Sequence, residues 1–404
     1  MPLKILGLVF LIAHRPSIIK NHRGFASFYV LILLYHAITG TITLFEEGYL
    51  YLVPFLMVAF FWAISYLTTN YLNAFVFDLS SDKVKNTVDV LFLLCVAVIA
   101  FQYLHTAWQL GALNPYGATQ AAGDRMKSVF SNSSESMLIM SFFFLRYIMR
   151  GNIVYSAIAL LSAFLAAYMS GTALFFAGVS LGLLFFSNFK LKFKLYFVGL
   201  TVLILAIFIF TSPGNYNYAS GYIQRIIAFK VEDLPYKIIS FIQTLQYWTE
   251  SIWHFIFGAG GGNFSSRVAF IASGDYVSWY PESLVHISRE FNEYHFGIWT
   301  YDFKNPWDNR DNTANQPFSF YNKILGEYGL IGLSLYSIIY LRLIFQNWRI
   351  LTYSKFLLIV LLGYFILDYW YEYFSVIVIF ELLVLMDIKE GTANNKTLKH
   401  ANTG

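Results

Sequence analysis

The stretch Glu282–Trp299, ESLVHISREFNEYHFGIW, packs two histidines, one arginine and three glutamates into eighteen residues. Imidazole ionises nearest to neutral pH of the ordinary side chains, so His286 and His295 are candidate general bases. Each also has a structural reading, as a hydrogen-bonding group that holds a loop. Arginine presents a planar fork that grips phosphate oxygens in two places. Arg225, Arg267, Arg289 and Arg310 lie in the same long segment and are candidate phosphate ligands. A second constellation is Gly123–Ser136, GDRMKSVFSNSSES. A Ser/Asn cluster ahead of an apolar run signals a helix N-cap, and the free amides of such a terminus suit an anion. Arg125 beside it either grips a lipid-linked phosphate or anchors the chain among headgroups. The third is Gln316–Tyr336, QPFSFYNKILGEYGLIGLSLY, where Glu327 sits inside an apolar run. An ionisable group in such a place is costly and points to function. Lys323, four residues earlier on the same helix face, is its expected partner. Asn322, Lys323 and Glu327 then line the mouth where lipid meets loop, with Glu327 a third candidate base.

The elements that must position these groups are membrane helices. Hydrophobic residues make up 57% of the 404, and charged residues only 12%, against roughly 25% in soluble domains. Mean hydropathy is +0.55. Apolar runs predict spans at 25–45, 49–69, 87–107, 133–149, 153–169, 172–187, 195–211, 318–341, 356–371 and 373–387. Residues 3–13 are either an interfacial helix or one more tilted span. Sixteen Lys and Arg residues fall at the ends and in alternate gaps, while the short loops of the other side hold only Arg125 and Lys127. That asymmetry places both termini in the cytoplasm. The expected fold is an all-α polytopic membrane protein of about 10–12 transmembrane helices, each about 20 residues long. Residues 1–211 form the first part of the bundle and 318–387 its last part. Residues 212–317 form a large outer loop, helical in part, and 388–404 a disordered cytoplasmic tail. Within the loop, Tyr236–Phe257 has helical apolar spacing and suits the membrane surface. The single cysteine, Cys95, allows no intrachain disulfide and reads as packing. No cleavable leader is visible.

The sequence holds no Walker loop, no His-Glu-x-x-His, no Cys/His cluster and no Gly-x-Ser-x-Gly. No metal, cofactor or nucleic acid is therefore expected. Phe257–Phe264, FGAGGGNF, lacks the strand–turn–helix context of a dinucleotide loop.

Four tracts in order carry a family resemblance: GDRMKSVFSNSSES, Met169–Gly178 (MSGTALFFAG), FGAGGGNF and Ser319–Leu333 (SFYNKILGEYGLIGL). Together they resemble the O-antigen polymerase (Wzy) family, related to the O-antigen ligases. Phe318 and Ser319 stand where many ligases have His and Asn, which favours a polymerase over a ligase. The resemblance implies a GT-C-like fold, a periplasmic loop and residence in the bacterial inner membrane. It implies a glycosyltransferase of lipopolysaccharide biosynthesis acting on undecaprenyl-pyrophosphate-linked oligosaccharide. A chain-length regulator and a flippase are the implied partners, beside the lipid bilayer. Arg125 and Arg225, then Arg267 and Arg289, would stabilise the departing diphosphate, and His286, His295 or Glu327 would take the acceptor's proton. The alternatives are an O-antigen ligase, a transporter of lipid-linked oligosaccharide and a non-catalytic scaffold.

Overall fold

The computed structural model describes residues 24–111, 125–166, 234–304 and 316–401, with isolated residues between 191 and 227. In chain order the principal helices are α1 (Phe25–Glu47), α2 (Leu52–Asp78), α3 (Ser81–Leu110), α4 (Ser133–Met149), α5 (Ile153–Leu165), α6 (Tyr236–Glu250), α7 (Ile252–Phe257), α8 (Arg267–Ala272), α9 (Phe320–Ser334), α10 (Ser354–Tyr364) and α11 (Phe374–Ala401). No strand occurs among the described residues. Among the described residues, four helical stretches are long and apolar enough to cross a membrane: Phe25–Glu47, Tyr49–Asp78, Ser81–Leu110 and Phe320–Gln346. The chain is an all-α membrane protein. The tract at 169–178, the expected span at 172–187, most of that at 195–211 and residues 3–13 lie outside the described residues.

The chain forms two compact units. The first comprises residues 1–70, 209–343 and 365–372, and the second 71–208, 344–364 and 373–404. In the first unit, α9 packs against α6 and α7, and α1 against the π-helical turn Leu335–Tyr340 that continues α9. Its core is a knot of aromatic rings. Phe28 meets Tyr340 at 5.2 Å and Trp62 at 5.9 Å, and Phe320 meets Phe365 at 4.3 Å. Away from water, each ring's polar tip needs a partner in the protein. Tyr371 accordingly donates to the Tyr29 hydroxyl at 2.9 Å, and Trp62 Nε1 to the Tyr328 hydroxyl at 2.9 Å.

In the second unit, α4 is buried along nearly its whole length from Ser133 to Tyr147. A helix buried on every side belongs at the centre of a bundle, and α4 packs on α5, α10 and α11. The one deep cation on it, Arg146, pairs with Asp89 at 2.9 Å, and Tyr147 donates to the same carboxylate at 2.8 Å. Asp387 on α11 receives the backbone amides of Thr352 and Ser354, both at 2.9 Å. It thereby satisfies donors at the start of α10 that the helix leaves open.

Two local expectations change. From Lys389 to Ala401 the tail is helical rather than disordered, as the end of α11. Lys389 donates to the carbonyls of Val76 (2.7 Å) and Leu79 (2.6 Å), and Glu390 pairs with Arg150. Those anchors outweigh the weak helix propensity of a Gly- and Asn-containing tract. The stretch Tyr236–Phe257 is two helices, because Ser251 turns extended and caps α7 by accepting from the His254 amide.

Candidate functional site

Two glycine-bearing tracts meet in the first unit. α9 is interrupted at Gly329, where φ is 56° and ψ is −153°. A continuous helix would pair the carbonyls of Gly326 and Glu327 with amides one turn later. Here they accept instead from Ala259 (2.8 Å) and Gly260 (3.0 Å) of the Gly258–Phe264 tract. The approach is backbone on backbone. A Cβ on Gly258 would lie 2.5 Å from the Glu327 carbonyl carbon, and one on Gly329 would lie 2.6 Å from the Ile256 oxygen. Both residues also have positive φ, so glycine is required twice over.

Glu327 locks this contact. It is fully buried, and its Oε1 accepts from the amides of Ser266 at 3.0 Å and Phe264 at 3.3 Å. The expected Lys323–Glu327 pair is not formed. Lys323 pairs instead with Glu372, with both side chains buried. The Lys323 ammonium also lies over the Trp62 ring at 4.9 Å and the Phe61 ring at 5.1 Å, where the ring quadrupoles favour a cation. Glu372 accepts from the Arg267 amide as well, at 2.7 Å, which fixes the start of α8. The Arg267 guanidinium acts electrostatically on Asp368.

α6 is turned with its polar stripe inward. Its buried residues are Lys237, Ser240, Thr244 and Tyr247, while Leu245 is half exposed. The Thr244 hydroxyl donates to Asn322 Oδ1 at 2.9 Å, and Asn322 Nδ2 donates to Ser240 Oγ at 3.0 Å and to the Pro317 carbonyl at 2.9 Å. Lys237 donates to the carbonyls of Phe318 and Leu367. Burial lowers the Lys237 pKa, and the Asp368 charge opposes that. His295 completes this network. It is fully buried, with Nδ1 2.8 Å from Ser265 Oγ and Nε2 3.1 Å from the Ser240 carbonyl. His286 is also buried, with Nε2 3.2 Å from Asn263 Oδ1, and burial lowers its pKa.

Burial pushes the His295 pKa down to about 3; the Ser240 carbonyl opposes this and the Lys237 charge adds to it. The unfolded imidazole titrates near 6.5. Between these values the unfolded chain takes up a proton that the folded chain refuses, so stability falls as pH drops from about 6.5 towards about 3. His295→Gln is expected to flatten the dependence of the thermal midpoint on pH in that window. Equal slopes for variant and wild type would show that His295 is not the group responsible.

The Arg289 side chain is 86% exposed and faces Glu293 at 3.9 Å, a surface pair of small energetic consequence. Arg125 belongs to the second unit. It lines a cavity of about 300 Å³ with Phe101, Gln102, His105, Thr106 and Gln109. Arg125 Nη1 donates to Gln109 Oε1 at 3.0 Å. Gln102 holds the following loop by exchanging two hydrogen bonds with the Ser128 backbone, at 2.8 and 2.9 Å. Ser128 has a φ of 55°, strain that these bonds hold in place. Asn132 caps α4, accepting from the Glu135 amide at 2.7 Å. Arg225 and Arg310 lie outside the described residues.

Sequence reading missed Lys237, Ser240, Thr244 and Glu372. The first three had a signal: with Tyr247 they form a polar stripe at helical spacing in an otherwise apolar run. No family model, curated protein or solved structure matches this chain.

Proposed function

We propose that the chain is a membrane glycosyltransferase of the O-antigen polymerase type. It joins undecaprenyl-pyrophosphate-linked oligosaccharide units on the periplasmic side of the bacterial inner membrane. The observation that carries this reading is the docking of the Gly258–Phe264 tract onto the broken helix around Glu327. These are two of the four tracts on which the family resemblance rests, and they lie 63 positions apart between Phe264 and Glu327. The inverted α6 adds support, since a helix with apolar residues outward and a polar network inward suits a membrane surface.

The chemistry asks for two things. A diphosphate leaves, so negative charge builds on it and needs a fixed cation. An acceptor hydroxyl loses its proton and needs a base. Arg125, exposed beside a cavity and held by Gln109, fits the first task. In the aromatic-rich segment the exposed Trp279 and the part-exposed Tyr276 offer ring faces to a glycan.

The lipopolysaccharide ladder of a deletion strain tests this. Single repeats retained on lipid A, with long chains lost, are the expected pattern. Long chains accumulating on the carrier with none on the core would instead mark a ligase. Substrate stranded in the cytoplasm would mark a transporter.

A further inference from the structure

We propose that His254, oriented by Glu250, is the general base that takes the proton of the acceptor sugar hydroxyl; this rests on the glycosyl-transfer reading above. Among the described histidines of the first unit, His36 and His295 are fully buried and His286 nearly so. Each of those three has Nε2 engaged by a protein oxygen. His254 differs in exposure and in surroundings. Its side chain is 31% exposed, its Nδ1 lies 3.6 Å from Glu250 Oε2, and its Nε2 has no hydrogen bond among the described residues.

The surroundings restrain the ring. Ser251 Oγ accepts from the His254 amide at 3.0 Å and sets the start of α7. The imidazole stacks on the Tyr247 ring, with centroids 4.3 Å apart and planes 20° apart. Glu250 is itself held, because the Tyr294 hydroxyl donates to its Oε1. A carboxylate facing Nδ1 selects the tautomer with the proton on Nδ1 and leaves the Nε2 lone pair pointing outward. The 3.6 Å gap exceeds a hydrogen bond, and such gaps commonly close when substrate binds. Trp253, next in the chain, is 68% exposed and offers a ring of the kind that packs on a pyranose face.

In the step, the acceptor oxygen bonds to the donor's anomeric carbon. The bond from that carbon to the diphosphate oxygen breaks, and its electron pair leaves with the diphosphate. The hydroxyl proton passes to His254 Nε2, and the Glu250 carboxylate stabilises the imidazolium. The proton then returns to solvent, which restores the base.

Among the described residues the titratable groups facing His254 are Glu250 and Tyr247, and Tyr294 in turn packs on Tyr247 and donates to Glu250. Glu290 acts on Tyr247, and Arg289 and Glu293 act on Tyr294.

The test is elongation of undecaprenyl-diphosphate oligosaccharide by the purified full chain in lipid nanodiscs, measured across pH. His254→Gln is expected to lower kcat by about 10²-fold or more at unchanged KM and to abolish the acid limb of the profile. His254→Ala activity should be partly restored by added imidazole, which a structural role would not produce. Glu250→Gln should lower kcat by a smaller factor than His254→Gln does, because the imidazolium formed in the step loses the carboxylate that stabilises it. Wild-type profiles in both His254→Gln and Glu250→Gln would overturn the proposal and leave the glycosyl-transfer reading standing. No elongation by the wild type would overturn that reading and the proposal with it.

Discussion

Replacing Lys323 with methionine is expected to destabilise the first unit by about 3–5 kcal/mol, the cost of breaking a buried ion pair from one side. The loss comes from Glu372. Its carboxylate remains buried, keeps the Arg267 amide as a donor and loses the only cation that pairs with it among the described residues. The methionine also gives up the attraction of the Trp62 and Phe61 rings for a cation. The double variant Lys323→Met with Glu372→Gln should recover most of the loss, since Gln still accepts from Arg267 and carries no charge. Denaturant titration in detergent of the wild type, both single variants and the double variant gives the coupling energy directly. Losses that simply add would mean that the two side chains do not act as a pair.

Arg125→Ala is expected to lower the elongation rate by about 10²–10³-fold, the usual effect of removing one preorganised donor from a developing charge. Abundance and unfolding midpoint should stay unchanged. Arg125 is exposed, and its one side-chain hydrogen bond among the described residues reaches Gln109 on the surface of α3. Arg125→Lys should recover only part of the rate, because an ammonium keeps the charge without the planar fork. Chain lengths equal to wild type in the alanine variant would remove Arg125 from the mechanism.

Much of the fold was legible in the chain because its apolar runs match the thickness of a bilayer. Helices occupy the expected spans at 25–45, 49–69, 87–107 and 133–149, and α9 starts within two residues of 318. The Asn132 cap was legible too, since capping depends on neighbours three positions apart. The partner of Lys323 was not. Helical spacing offered Glu327, while folding brings in Glu372, which lies 45 positions beyond Glu327 in sequence. The histidines divide in the same way. Their number and clustering could be read directly, but nothing local distinguishes His295, enclosed by Ser240, Thr244 and Ser265, from His254, open beside Glu250.

By itself the sequence determined the helical class, the membrane setting, most helix positions and the tracts rich in ionisable groups and glycine. These follow from composition and from short-range periodicity, which act within a turn or two of helix. Tertiary structure alone decided that the glycine tract seats on the break at Gly329, that α6 turns its polar stripe inward, and which imidazole stays open. Those outcomes depend on which distant backbone satisfies each buried donor and acceptor, because a polar group left unpaired away from water costs more than local propensity can offset.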